Sequence, residues 1–295
     1  MGEDVSIAGG QLQGAIAQVP SLGAAFHPLQ HLRFPEQSLY GEGGLNFEHI
    51  LNGVAADEQL NWFTPRVDAH RVVAESPTAA TVFHDAAESS WGIESRMTYT
   101  LSGDQAVDMK FSARLHEDRY PLGYVGFMWA SYMNRTRERR IHFYGETDGR
   151  RGWTSFGDDI ADGFETGTVA AAGAPNLPCE EGAAILNVVE NTSKRFVCPF
   201  YYGVVDGDGD LSGSGDEMAY VMMFDQTEPI RFALWNFIKD GAGNPDPHSP
   251  AWDWQYVIRD PQLGRWYGYR ARLEYGPLTT REEIMQRYEN WRDAG

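Results

Sequence analysis

His142 and Tyr144 stand two apart in the run RIHFYGE, and this pair is the best placed in the chain to move a proton. On a strand successive side chains alternate, so these two share one face while Ile141 and Phe143 turn to the other. The apolar pair reads as core, which leaves His and Tyr pointing away from it together. A His–Tyr pair suits proton abstraction, and His alone titrates near neutral pH. Sugar chemistry would also need a carboxylate and a flat apolar surface. Glu94 in WGIES offers a carboxylate beside Trp91, with a glycine that lets the chain turn sharply next to the indole. Glu48 in NFEH offers another, and alternation places Asn46 and Glu48 on one face, Phe47 and His49 on the other. Each has a plainer reading: a structural histidine, a Trp packed at the start of a hairpin, an edge-strand pair facing water.

Further candidates gather near the C-terminus. Trp235 and Asn236 end the strand-like IRFALWNF, and Trp252, Asp253 and Trp254 open WDWQYVI. The two flanking indoles of that second run share a face with Asp253 opposite. The connecting KDGAGNPDPHSPA is long and rich in Gly and Pro, which suits the rim of a site. Arg66 in FTPR could bind an anion, and Tyr202 in FYY adds stacking surface. A separate acidic loop, DGDGDLSGSGDE, places Asp206, Asp208, Asp210 and Asp216 at spacings that suit calcium. Counted from Asp208, Asp210, Ser212, Gly213 and Asp216 follow an EF-hand-like order, but Ala219 stands where a bidentate Glu is needed. Counted from Asp206, Glu217 takes that place and the glycine is lost. The loop is either a calcium site of another kind or a metal-free hairpin tip; no cofactor is otherwise required.

The elements that must position these groups are strands. LNFEHILNG, RVVAE, ATVFH, SRMTYTL, AVDMKFSARL, YVGFMWASYMN and RRIHFYG are short, β-branched or aromatic, and bounded by Gly, Pro, Asp or Ser. After a less regular stretch at 146–195, expected to form loops over one end of a sheet, RFVCPFYYGVV, EMAYVMMFD, IRFALWNF, WDWQYVI and WYGYRARLEYG resume the pattern. Thr280 and Glu283 form a capping box, and Ile284, Tyr288 and Trp291 then fall at helical spacing. The organisation expected is a wrapping segment at 1–43, one large antiparallel β domain at 44–278 and a C-terminal helix at 279–295.

With 24 Lys and Arg against 42 Asp and Glu, the net charge of −18 argues against nucleic acid or an anionic membrane as partner. No apolar run is long enough for a membrane-spanning helix. Cys179 and Cys198 could pair or stay free, and neither has the context of a zinc site. The N-terminus lacks the basic and apolar regions of a signal peptide, so the chain is expected to be cytoplasmic, or secreted from a precursor that has lost its leader. Composition leaves the oligomeric state open.

The stretch Thr98–Asn134 carries a family resemblance. TYTL followed by GDQAVDMKFSARL and then WASYMN resembles the central hairpin and the Asn-His-Ser-Tyr-Phe-Asn motif of the aldose 1-epimerase (galactose mutarotase) family. Ser131, Tyr132 and Asn134 match, and Ala130 stands where that family keeps its general-acid histidine. DPQLGRWYGYRARLEY resembles the family's closing strand segment. IRFALWNF resembles the strand that carries its catalytic Glu, with Trp235 and Asn236 in place of the carboxylate. The resemblance implies an all-β galactose mutarotase-like supersandwich with a sugar on its concave face, where Trp129, Tyr132 and Asn134 would join Trp91, Tyr202, Trp252 and Arg66. It does not imply mutarotation, because both acid–base groups are absent from the matching places. The expectation is a carbohydrate-active hydrolase or lyase using His142, Tyr144 and Glu94 or Glu48; the alternative is a non-catalytic sugar-binding or structural protein on the same fold.

Overall fold

A computed structural model describes residues 4–19, 22–55, 63–160, 163–164, 166–181, 183, 193–212, 216–236, 238–239, 241–244 and 246–294. Two large antiparallel sheets face one another. The first has eight strands in the order Val5–Gly9, Leu12–Val19, Gly23–His31, Tyr40–Leu51, Tyr124–Met133, Ala251–Arg259, Ile230–Trp235 and Gly167–Ala170. The second has ten, of which nine run Arg150–Phe156, Ile141–Thr147, Phe200–Asp206, Glu217–Phe224, Trp266–Pro277, Ala106–Leu115, Ile93–Ser102, Ala79–His84 and Arg71–Ser76, with Arg195–Phe196 paired to the side of Ile141–Thr147. Alternating apolar side chains from both sheets meet in one core, the arrangement that lets each sheet bury a face while the other stays available.

Aromatic packing fills that core. Phe47 stacks on Trp129 with ring centroids 4.9 Å apart, and Trp129 stacks on Trp254 at 5.7 Å. Each such pair adds about 0.5–1.5 kcal/mol beyond the area it buries. Trp91, Trp129 and Trp252, expected to hold a sugar, are all nearly or fully inaccessible within this core. The strands of Trp129 and Trp252 do present a polar face, but these indoles are on the inner one, where burial of so much apolar surface stabilises the fold most.

Strands begin at Val5, not at Gly44. The segment expected to wrap the outside instead supplies three strands and the start of a fourth. Its first two strands are mostly Gly, Ala and Gln, a weak strand signal, yet Ile7, Leu12 and Ile16 alternate inward onto the core. The turn depends on Gly10, at φ +58, where a Cβ would lie 2.4 Å from the Gly103 carbonyl oxygen. The C-terminal helix, Arg281–Asp293, forms as expected: the Thr280 hydroxyl accepts the Glu283 amide at 3.2 Å, and Ile284 and Tyr288 pack on the outer face of the ten-stranded sheet. No helix among the described residues is long and apolar enough to cross a membrane.

Candidate functional site

The outer face of the eight-stranded sheet carries a polar cluster that burial alone cannot explain. Its hub is Tyr132. The Tyr132 hydroxyl donates to Glu48 Oε1 at 2.6 Å and accepts from Arg66 Nη2 at 2.6 Å. Arg66 also ion-pairs with Glu48, whose other oxygen lies 2.9 Å from His49 Nε2. Glu48 and His49 are almost wholly buried. Arg66 comes from a four-residue helix, Thr64–Val67, that has Pro65 in its first turn and ends when Asp68 turns extended. That end is anchored, since the Asp68 carboxylate accepts the Ser90 amide at 2.8 Å and its hydroxyl at 2.6 Å. Gly43 lets Tyr132 lie down, because a Cβ there would meet its ring at 2.5 Å.

Asp253 and Asn46 extend the cluster across three adjacent strands. Asp253 Oδ1 accepts the Ser131 amide at 2.8 Å, while Oδ2 is buried with no hydrogen-bond partner among the described residues. Burial pushes the Asp253 carboxyl up to about 7, against the opposing effects of the Ser131 amide and the Arg66 charge. Burial also raises the Tyr132 hydroxyl and lowers the Arg66 guanidinium, each shift opposed by the other group's proximity. Asn46 Oδ1 and Arg66 Nε are likewise buried without partners among the described residues. Gln255 and Arg231, paired across neighbouring strands, continue the polar face.

A β-bulge shapes this site and defeats simple alternation. Phe47 pairs with Trp129 but His49 pairs with Met128, so Glu48 is the extra residue. Beyond the bulge the faces exchange, and His49 lies with Asn46 and Glu48, its ring 4.3 Å from that of Phe63. Strict alternation puts His49 on the face of Phe47, which in the structure is the core side. Gln255 was legible from Asp253, two residues before it on the same strand. Trp235 packs in a small apolar cluster on this face with Leu51, Tyr124 and Met128. Asn236 follows it and donates to the Asp246 carbonyl at 2.8 Å. Ser131 faces the core, and Asn134 lies past the strand end, donating to the Ser38 carbonyl at 3.1 Å.

His142 and Tyr144 do share a face, but it is the outer face of the other sheet. His142 stacks on Tyr202 at 4.9 Å and pairs with Glu138 at 2.6 Å; Tyr144 packs edge-on against Trp153. Glu94 is also on that sheet, bound to Arg114 at 2.6 Å and His116 at 3.2 Å, which hold its carboxyl below the usual range. The structure therefore does not bring His142, Tyr144, Tyr202 or Glu94 together with Glu48; a whole sandwich separates them.

In the acidic loop, carboxylate oxygens of Asp206, Asp208 and Asp210 lie within 4.8 Å of one another. Asp206, however, already accepts the Gly209 and Leu211 amides at 3.1 and 2.9 Å and pairs with Arg137 at 2.9 Å. Asp216 pairs with Arg33 at 2.6 Å, and Gly213 lies outside the described residues. Cys179 and Cys198 are free thiols.

No family model matches the sequence, and no curated protein does. Among solved structures, an Escherichia coli K12 protein assigned as an aldose 1-epimerase aligns over 93% of this chain and 99% of its own, with TM-score 0.51 and 9% identity. An aldose epimerase homologue from C. elegans aligns over 94% and 99%, with TM-score 0.47 and 8% identity. The first of these likenesses shows the fold, a galactose mutarotase-like β-supersandwich.

Proposed function

We propose that the outer face of the eight-stranded sheet binds a sugar and transforms it by acid–base chemistry, with Asp253 as proton donor and Glu48 as the ionised partner. One observation carries this reading: Asp253 Oδ2, Asn46 Oδ1 and Arg66 Nε are buried together without partners among the described residues. Each unsatisfied buried group costs about 1–3 kcal/mol, a burden native proteins rarely keep in clusters unless a ligand or ordered water relieves it. The three atoms ask for hydroxyl groups that both donate and accept at several fixed points, as a sugar ring provides. A carboxyl raised to about 7 can give a proton at neutral pH, and Glu48 is held in place by contacts with Arg66, Tyr132 and His49.

The fold is consistent with sugar chemistry, since the solved structures it resembles include proteins named as aldose epimerases. Hydrolysis or elimination suits the site better than aldose 1-epimerisation, because Ala130 and Trp235 occupy the places where an epimerase would need its His and Glu. A second reading is binding without turnover: both Glu48 oxygens are already engaged by neighbouring side chains. A panel of monosaccharides, glycosides and uronides, screened by melting-temperature shift and by NMR for product, tests both. The proposal expects a ligand whose conversion is lost in Asp253→Asn while its binding is kept. Binding without conversion in the unaltered protein selects the second reading, and no sugar binding that depends on Arg66 overturns both.

A further inference from the structure

The outer face of the ten-stranded sheet carries positive charge that the fold does not neutralise, in a chain whose net charge is −18. Arg270 and Lys110 are directly opposite on adjacent strands, and Lys110 is in turn opposite Thr98. Arg96 is diagonal to Lys110 on the same face, in the register Arg96 to Ser112. Like charges facing one another across a strand pair destabilise it. Arg270 is relieved by Asp225 at 3.1 Å, Arg272 by Asp108 at 2.7 Å and Arg114 by Glu94 at 2.6 Å. Arg96 makes one hydrogen bond, to the Ser112 hydroxyl at 2.8 Å, and neither it nor Lys110 has a carboxylate partner among the described residues.

Two indoles bracket this row. Trp266 is 40% exposed at one end, with the Arg96 and Arg114 guanidinium groups 5.0 and 4.8 Å from its ring centre. At the other end Trp291 of the C-terminal helix forms one wall of a groove of about 440 Å³, whose floor includes Thr98, Lys110 and Arg272. From Trp266 to Arg272 the strand runs six residues, roughly 20 Å at the usual rise. A simple anion would use the cations and have no need of aromatic surface or of this length.

We propose that this face is a binding site for an acidic oligosaccharide, its carboxylates on Arg96 and Lys110 and its rings against Trp266 and Trp291. It is distinct from the Asp253 site and lies across the sandwich from it. The test is isothermal titration of a galacturonate hexamer into the protein at low and at high salt, with maltohexaose and sodium sulfate as controls. The expected result is binding that weakens with salt, falls roughly tenfold or more in Lys110→Glu and in Arg96→Glu, as for a lost charge-assisted hydrogen bond, and persists in Asp253→Asn. Trp266→Ala separates the contribution of the ring from that of charge and is expected to weaken the hexamer without affecting sulfate. The proposal is overturned if maltohexaose binds as tightly as the hexamer, if sulfate competes at equal concentration, or if Asp253→Asn abolishes binding. It is equally overturned if the charge reversals fold normally and leave affinity unchanged.

Discussion

Replacing Asp253 by Asn should make the protein more stable at neutral pH and less active. Burial lifts the Asp253 carboxyl from its ordinary 3.8 to about 7. The folded state therefore binds this proton more tightly than the unfolded chain does. The stabilisation is fully present below about pH 4, declines as pH rises, and is gone above about pH 7. Three units of displacement correspond to about 4 kcal/mol, an upper value at about 1.4 kcal/mol per unit. Asn keeps an oxygen for the Ser131 amide and cannot ionise, so it removes the titration while leaving the contact. Urea unfolding of both proteins, followed by tryptophan fluorescence from about pH 4 to pH 9, gives their difference with other titrating groups largely cancelled. The variant's advantage should grow with pH and level off above about 7. A difference that does not change with pH would refute the assignment of a raised Asp253 carboxyl, and with it the proton donor.

Glu48→Gln leaves the Arg66 charge buried without its partner, so a loss of about 3–5 kcal/mol is expected by thermal denaturation, together with lost sugar binding. His142→Ala removes a ring stacked on Tyr202 but lies on the opposite face of the sandwich; titration of a sugar ligand should give an unchanged Kd, with only stability reduced. A calcium site filled at about 100 times its Kd would add about 2.7 kcal/mol. With Asp206 already committed to two amides and Arg137, EDTA is expected to leave the melting temperature unmoved. Thr280→Ala should cost about 1 kcal/mol in unfolding free energy through loss of the helix cap.

The strands rich in β-branched and aromatic residues were legible because alternation and propensity agreed, as at Ala106–Leu115 and Ala251–Arg259. Val5–Gly9 and Leu12–Val19 were not, since Ala, Gly and Gln carry little strand preference and these strands owe their conformation to pairing and to three inward apolar side chains. Glu48, Arg66, Tyr132 and Asp253 could be singled out by type. That His49 belongs with them could not, because a bulge of one residue changes the face of everything beyond it. The aromatic candidates erred in the opposite direction: Trp129 and Trp252 are in the right strands and on the wrong side.

Alternation fixes which side chains share a face, but not which sheet the strand joins, and the site depends on the second question. Glu48 and Asp253 share a face because Tyr40–Leu51 and Ala251–Arg259 both flank Tyr124–Met133, a strand order set by contacts across most of the chain. His142 satisfied every local criterion for a proton-transfer residue and was assigned by that same order to the far side. The strand order also gives Ala130 a meaning. In the register set by Tyr132 with Ala251 and Trp129 with Trp254, Asp253 falls opposite Ala130, and Asn46 pairs with Ala130 from the other side. A residue with no acid is thus flanked by an amide with an unpartnered oxygen and by a carboxyl that titrates near neutral pH. An imidazole at 130 would press on both neighbours. The small side chain leaves the Asp253 carboxyl as the acid beside the centre of this face, and the proposed chemistry turns on it.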